Sequence, residues 1–211
     1  MNEANVLNTG TTTLGIMCKD CLILAADKRV TAGNMIANKN FDKIIPVTEK
    51  IAVTTSGVVS DVQMIIKILK AELKLKNIRA DRESTVKEAA HLLTDLVYNS
   101  VRRYSSIPSI THFLLGGVDR EIKLYDLYAD GSITEVDDYV SSGSGSVFAY
   151  GVLEASYKKD MSESEGIELA IKAISSALQR DSASGEGVDM YVINKSGMKR
   201  LAGKRVNKTL E

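Results

Sequence analysis

The stretch Asn8-Thr9-Gly10-Thr11-Thr12-Thr13-Leu14-Gly15 decides how this chain is read. Three threonines follow a glycine, behind a short polar leader and just ahead of a strand-like run. The plainer reading is the start of a β-strand, because threonine is β-branched and suits a pleated surface. The sharper reading is a cleavable Gly10–Thr11 bond, whose breakage leaves Thr11 as a new N-terminus. An N-terminal threonine holds nucleophile and base in one residue: its hydroxyl attacks, and its own α-amine takes the proton. Such an amine has a free pKa of ~7.7–8.0, close to where a general base works well. Glycine before the bond fits as well, since it adopts the strained backbone that lets the Thr11 hydroxyl reach the Gly10 carbonyl. Taken alone, the stretch favours the plainer reading, and the rest of the chain has to decide.

Outward from Thr11, Leu14, Ile16 and Cys18 alternate with Thr13, Gly15 and Met17, the period of a half-buried strand. Cys21-Leu22-Ile23-Leu24-Ala25-Ala26 is continuously apolar and too short for a helix, hence a strand buried on both faces. It stops at Asp27-Lys28-Arg29, where either a solvated turn or a site is expected. Residues 32–40 read as a turn and short hairpin. In Phe41-Asp42-Lys43-Ile44-Ile45-Pro46, Lys43 is flanked by apolar residues, and by default such a lysine snorkels to water. Lys50–Thr55 is a further strand closing on Ser56-Gly57.

Val62, Ile65, Ile66, Leu69 and Leu73 then mark one face of a helix. Asn77–Glu83 reads as a charged connector, with Ser84 capping a second helix that carries Val86, Ala89, Ala90, Leu93 and Val97. Pro108 ends the next connector. Thr111–Val118 and Glu121–Tyr128 are strands, and Asp130-Gly131 is a hairpin signal leading into Ser132–Val136. Val140-Ser141-Ser142-Gly143-Ser144-Gly145-Ser146 is rich in glycine and serine but lacks the Gly-Lys-Ser/Thr ending of a phosphate loop. Phe148, Val152 and Leu153 suggest a third helix. Ser162-Glu163-Ser164-Glu165 is a capping box opening a fourth, and Val188–Asn194 with Met198–Ala202 forms a last hairpin. Each helix has one apolar stripe and must cover a sheet face. The expected fold is therefore α+β: a four-layer αββα sandwich of two stacked antiparallel sheets between helix layers.

Composition bounds the function. The 211 residues allow a single domain with a sizeable core. With 27 basic and 27 acidic residues, no basic field points to nucleic acid, and the cluster around Lys204-Arg205 reads as a solvated tail. No apolar run approaches the ~20 residues that span a bilayer, and Met1–Gly10 has no hydrophobic segment of a secretory signal. Cys18 and Cys21 form a C-x-x-C across a turn rather than at a helix start, with too few histidines and cysteines for a structural zinc. Both are read as reduced packing residues of a cytoplasmic protein that needs no cofactor.

Gly10-Thr11-Thr12-Thr13-Leu14-Gly15, Leu24-Ala25-Ala26-Asp27-Lys28-Arg29, Lys43, Ser56-Gly57, Gly143-Ser144-Gly145, Ala149-Tyr150-Gly151-Val152-Leu153-Glu154 and Arg180-Asp181-x-x-Ser184-Gly185 together resemble the proteasome β subunit of archaeal type. The resemblance covers essentially the whole chain in order and spacing. It implies the N-terminal nucleophile hydrolase fold, with residues 1–10 a propeptide removed by autocatalysis and 11–211 one catalytic domain. It makes Thr11 the nucleophile of a threonine endopeptidase, Lys43 its electropositive neighbour and Asp27 the anchor of that lysine. Ser144, Asp181 and Ser184 would shape the network around the amine, and the Gly57 N–H would supply an oxyanion hole. Val30, Ala37, Ile45, Thr55 and Val59 would line the substrate pocket, with the Thr31 and Gly57 backbones pairing an extended substrate.

The same resemblance implies heptameric β rings stacked in pairs and capped by rings of a separate α subunit, fed unfolded polypeptides by an unfoldase ATPase. Two alternatives remain open on sequence alone: an N-terminal-nucleophile amidase for small molecules, and a non-catalytic structural ring subunit. Subunits of that second kind typically lack the nucleophile or its lysine, and both are present here.

Overall fold

The computed structural model describes residues 10–105 and 109–201. The leader before Gly10, Pro108 and the C-terminal basic cluster lie outside the described residues. In chain order the first elements are β1 (Thr13–Met17), β2 (Cys21–Asp27), β3 (Val30–Ala32), β4 (Met35–Asn38), β5 (Ile44–Pro46) and β6 (Ile51–Gly57). Helices α1 (Val59–Ala80) and α2 (Val86–Val101) follow, then β7 (Thr111–Val118), β8 (Ile122–Leu127), β9 (Ile133–Val136) and β10 (Tyr139–Ser142). Helices α3 (Ser146–Ser156) and α4 (Glu163–Arg180) precede β11 (Val188–Asn194) and β12 (Gly197–Leu201).

Two five-stranded sheets form, ordered β10-β1-β2-β11-β12 and β5-β6-β7-β8-β9, besides the small pair β3-β4. The pairings are antiparallel, Leu14 lying opposite both Ala25 and Ser141, and Val53 opposite Leu115. The strand period of two then divides the core into three apolar layers. Leu14, Ile16, Ile23 and Ala25 turn outward onto Leu153, Leu169 and Ile174 of α3 and α4. Val53, Phe113 and Leu115 do the same against Ile65, Leu69 and Leu93 of α1 and α2. Between the sheets, Leu22 and Leu24 meet Leu114, Leu124 and Ile193. This is the expected αββα sandwich, and it explains why inner strands such as β2 and β7 are buried on both faces while the edge strands β9 and β12 are partly exposed.

Several local expectations are corrected. Strand β1 is not half-buried: Thr13 to Ile16 are all buried, because Gly15 meets Leu124 of the opposite sheet while Leu14 and Ile16 meet the helices. Asn77–Ala80 continues α1 instead of forming a connector. The cap of α2 is Thr85, not Ser84. Thr85 Oγ1 accepts from the Glu88 N–H at 3.2 Å, while the Glu88 carboxylate accepts from the Thr85 N–H at 2.8 Å. Ser84 donates to Asn77 Oδ1 at 2.6 Å and so ties the two helices together. The capping box of α4 forms as read, the Ser162 N–H donating to Glu165 at 2.8 Å. Strands β5 and β10 went unread. No helix among the described residues is long and apolar enough to cross a membrane.

Candidate active site

The site lies where the β1–β2 hairpin opens, at the ends of strands drawn from both sheets. Buried strand β2 ends in Asp27, which is 0% exposed, and β5 is entered through Lys43, which is 2% exposed. Lys43 Nζ donates to Asp27 Oδ1 at 2.6 Å. The default expectation that Lys43 snorkels to water is therefore overturned. Asp27 also accepts three backbone N–H groups: Thr12 at 2.9 Å on Oδ1, with Arg29 and Gly185 each at 3.0 Å on Oδ2. A buried carboxylate is tolerated when cation and dipoles satisfy it this fully. Burial pushes the Lys43 ammonium below the ordinary lysine range, and the Asp27 charge opposes that shift. Through Asp27 Oδ1, Lys43 is joined to the backbone of Thr12, next to Thr11.

Thr11 itself is buried, and its hydroxyl donates to the carbonyl oxygen of Gly10 at 2.7 Å. The Gly10 N–H in turn donates to Thr31 Oγ1 at 3.2 Å. The Thr11 N–H donates to Ser144 Oγ at 3.3 Å. Ser144 and Ser184 hydroxyls both donate to Asp181 Oδ2 at 2.6 Å, and Ser184 Oγ lies 2.7 Å from Thr12 Oγ1. One carboxylate thus organises the hydroxyls on either side of the Thr11 backbone. The glycine–serine run before α3 makes this possible. At Gly143, with φ of +93°, a Cβ would sit 2.1 Å from the Thr11 carbonyl oxygen, so only glycine lets the loop close on Thr11.

Gly57 ends β6 with φ of +111°, and a Cβ there would meet the Ile110 carbonyl oxygen at 2.1 Å. Gly57→Ala is accordingly expected to cost about 1–3 kcal/mol from backbone strain, before any clash is added. An unchanged thermal unfolding midpoint in that variant would contradict this reading of the position.

A small cavity of ≈ 20 Å³ abuts Thr11, walled by Val30, Phe41, Thr55, Ser56, Gly57, Val59 and Val62. Val30, Thr55 and Val59 were among the pocket residues expected from sequence. Ala37 and Ile45 do not line this cavity. Ala37 is exposed on β4, and Ile45 packs toward α1 and α2 while its neighbour Ile44 fills the layer between the sheets. Thr31 is buried and holds Gly10. Sequence reasoning missed Phe41, Val62 and the Thr12 hydroxyl. The Thr12 side chain had a signal in the threonine run; the other two lacked any, since Val62 reads only as part of a helix stripe. Arg29 was missed too: its guanidinium donates to the Ser182 carbonyl at 2.8 Å and pairs with Glu186, bracing the loop that carries Asp181 and Ser184.

An αββα sandwich that presents a threonine beside a buried ammonium–carboxylate pair defines a class, the N-terminal nucleophile hydrolases. Comparison with known proteins narrows it. Residues 7–193 match the family model described as Proteasome subunit, and the chain belongs to that family. It is 44% identical over 203 residues to the proteasome subunit beta of Ferroglobus placidus, covering 96% of this chain and 95% of that protein. The proteasome subunit beta of Methanosphaerula palustris is 44% identical over 207 residues, covering 98% and 96%. That of Methanocaldococcus jannaschii is 40% identical over 204 residues, covering 96% and 89%.

Proposed function

We propose that this chain is a threonine endopeptidase, the β subunit of a barrel-shaped proteasome core, made as a zymogen that cleaves its own Gly10–Thr11 bond. The observation that carries this reading is the Thr11 hydroxyl, 2.7 Å from the Gly10 carbonyl oxygen. Oγ1 attacks the Gly10 carbonyl carbon, the C–N bond breaks, and the acyl group moves from nitrogen to oxygen. Water then hydrolyses the ester, releasing residues 1–10 and leaving a free amine on Thr11. The same hydroxyl now attacks the scissile carbonyl of a substrate, and the amine takes its proton.

The surroundings fit both steps. A positive charge near the amine disfavours its protonation and favours a developing alkoxide, and Lys43 is the buried cation of this site, tied by Asp27 Oδ1 to the Thr12 backbone next to Thr11. Ser144, Asp181 and Ser184 orient the amine and relay its proton. The Gly57 N–H serves the oxyanion, where one donor contributes about 2.7–4 kcal/mol to the transition state in a comparable site. The full assembly has homo-oligomeric heptameric β rings stacked in pairs between α-subunit rings, in the cytoplasm. A regulatory unfoldase ATPase delivers unfolded polypeptide. An extended substrate adds as a strand along the Thr31 and Gly57 backbones.

The cavity walls Val30, Phe41, Val59 and Val62 are apolar, so cleavage after hydrophobic residues is expected. Its volume of ≈ 20 Å³ has room for about one water molecule, so a substrate side chain has to displace wall atoms on entering. Fluorogenic peptides ending in Leu or Tyr should show kcat/KM at least 10-fold above those ending in Arg or Asp, a methylene or two of hydrophobic discrimination being worth about that much. Equal or faster turnover of the charged peptides would count against the assignment of this cavity.

A further inference from the structure

The C-x-x-C pair has no part in the chemistry above. Cys18 and Cys21 close the β1–β2 hairpin at the end opposite Thr11 and Asp27, and both are free and buried. The Cys18 N–H donates to the Cys21 carbonyl at 2.8 Å across the exposed turn Lys19-Asp20. They therefore face each other as a hydrogen-bonded pair of an antiparallel ladder, which holds its Cα atoms about 5.5 Å apart. Disulfides span roughly 4.4–6.8 Å between Cα atoms, with a mode near that same value.

The side chains are engaged as well. The neighbouring Cys21 thiol holds the Cys18 thiol above the ordinary range, and Cys18 in turn lowers that of Cys21. Burial pushes both upward. The hairpin thus sets the more acidic thiol, Cys21, across the ladder from the proton-bearing Cys18, as an attacking thiol opposite a resolving one. Gly166 of α4 seats over Cys18, where a Cβ would lie 2.5 Å from Cys18 Sγ.

We propose that Cys18 and Cys21 form a reversible intramolecular disulfide when the folded chain meets a low-molecular-weight disulfide. The Cys21 thiolate attacks one sulfur of the reagent R–S–S–R; a Cys21–S–R bond forms and RS⁻ leaves. Cys18 gives its proton to that RS⁻, and its thiolate attacks the Cys21 sulfur. The protein disulfide forms and the second RS⁻ departs, taking the proton that Cys21 had lost to solvent. In sum, two protein thiols are oxidised and one reagent disulfide is reduced to two thiols, and excess thiol reverses the exchange. The product staples the strand leading from the nucleophile to the strand ending in Asp27, at the end away from both.

The test treats the folded, assembled full chain with oxidised glutathione, then denatures it in N-ethylmaleimide and measures intact mass. The chain has 2 cysteines, so two labels are expected before treatment and none after, with two hydrogens lost and peptidase activity unchanged. Dithiothreitol should restore both labels. Cys18→Ser should stop at a glutathione adduct on Cys21, and its peptidase activity reports that it has folded. Two labels after treatment of the wild type would overturn the proposal. So would disulfide-linked dimers on a non-reducing gel, or a wild-type chain that accumulates the glutathione adduct.

Discussion

Thr11→Ala is expected to give a chain that assembles, hydrolyses no peptide and keeps residues 1–10. The variant keeps the fold because Thr11 is held chiefly through its backbone, which donates to Ser144 and accepts from the Gly145 N–H at 3.3 Å. It loses activity because the hydroxyl that attacks a substrate is gone. Removing the nucleophile of a comparable hydrolase lowers kcat by about 2 × 10⁶-fold, so activity should fall to background. The leader stays because the attack on the Gly10 carbonyl uses the same hydroxyl. While residues 1–10 remain attached, the Thr11 nitrogen is an amide that cannot act as a base, so the unprocessed chain is expected to be inactive. Intact mass of Thr11→Ala, assembled alone and free of wild-type subunits, checks both parts. Clean loss of the first ten residues would assign the cut to another residue or another protease.

The second large effect belongs to Lys43. Lys43→Ala should abolish peptidase activity in a chain that still assembles, with a stability loss of about 3–5 kcal/mol, the usual cost of breaking a buried ion pair. Asp27 would keep its three backbone donors, so the fold survives while the carboxylate loses the ammonium it pairs with. The catalytic loss has a separate origin in the proposed role of Lys43 as the cation of the active site. Size-exclusion chromatography separates the two: activity is read only in fractions eluting as the full assembly. Full turnover there would remove Lys43 from the chemistry and leave it a structural cation.

Much of this was legible from local pattern. The uninterrupted Cys21–Ala26 run required a strand covered on both faces, and single apolar stripes on the helices required sheets beneath them; the four layers follow. The abrupt charge at Asp27 and a lysine inside an apolar stretch marked two positions that the structure joins at 2.6 Å. That they join each other, rather than water, is a long-range fact that no local pattern encodes. Strand β10 escaped for a related reason. Ser141 and Ser142 look like loop residues, yet their backbone pairs with Leu14 and Thr13 and so becomes an edge of the first sheet. Phe41 and Val62 reach the cavity from a loop and a helix that meet only after folding. Ser84 reads as the cap because serine and threonine are adjacent there and the choice rests on one residue of helix phase. Asn77 settles it by holding the Ser84 hydroxyl.

The central claim is that Thr11 becomes the N-terminal nucleophile, and the most direct test is the N-terminal residue of the active wild-type chain. Intact mass of the assembled protein, taken from the fractions that hydrolyse peptide, should correspond to a chain beginning at Thr11. An assembly that is fully active while every chain still carries residues 1–10 would contradict the account.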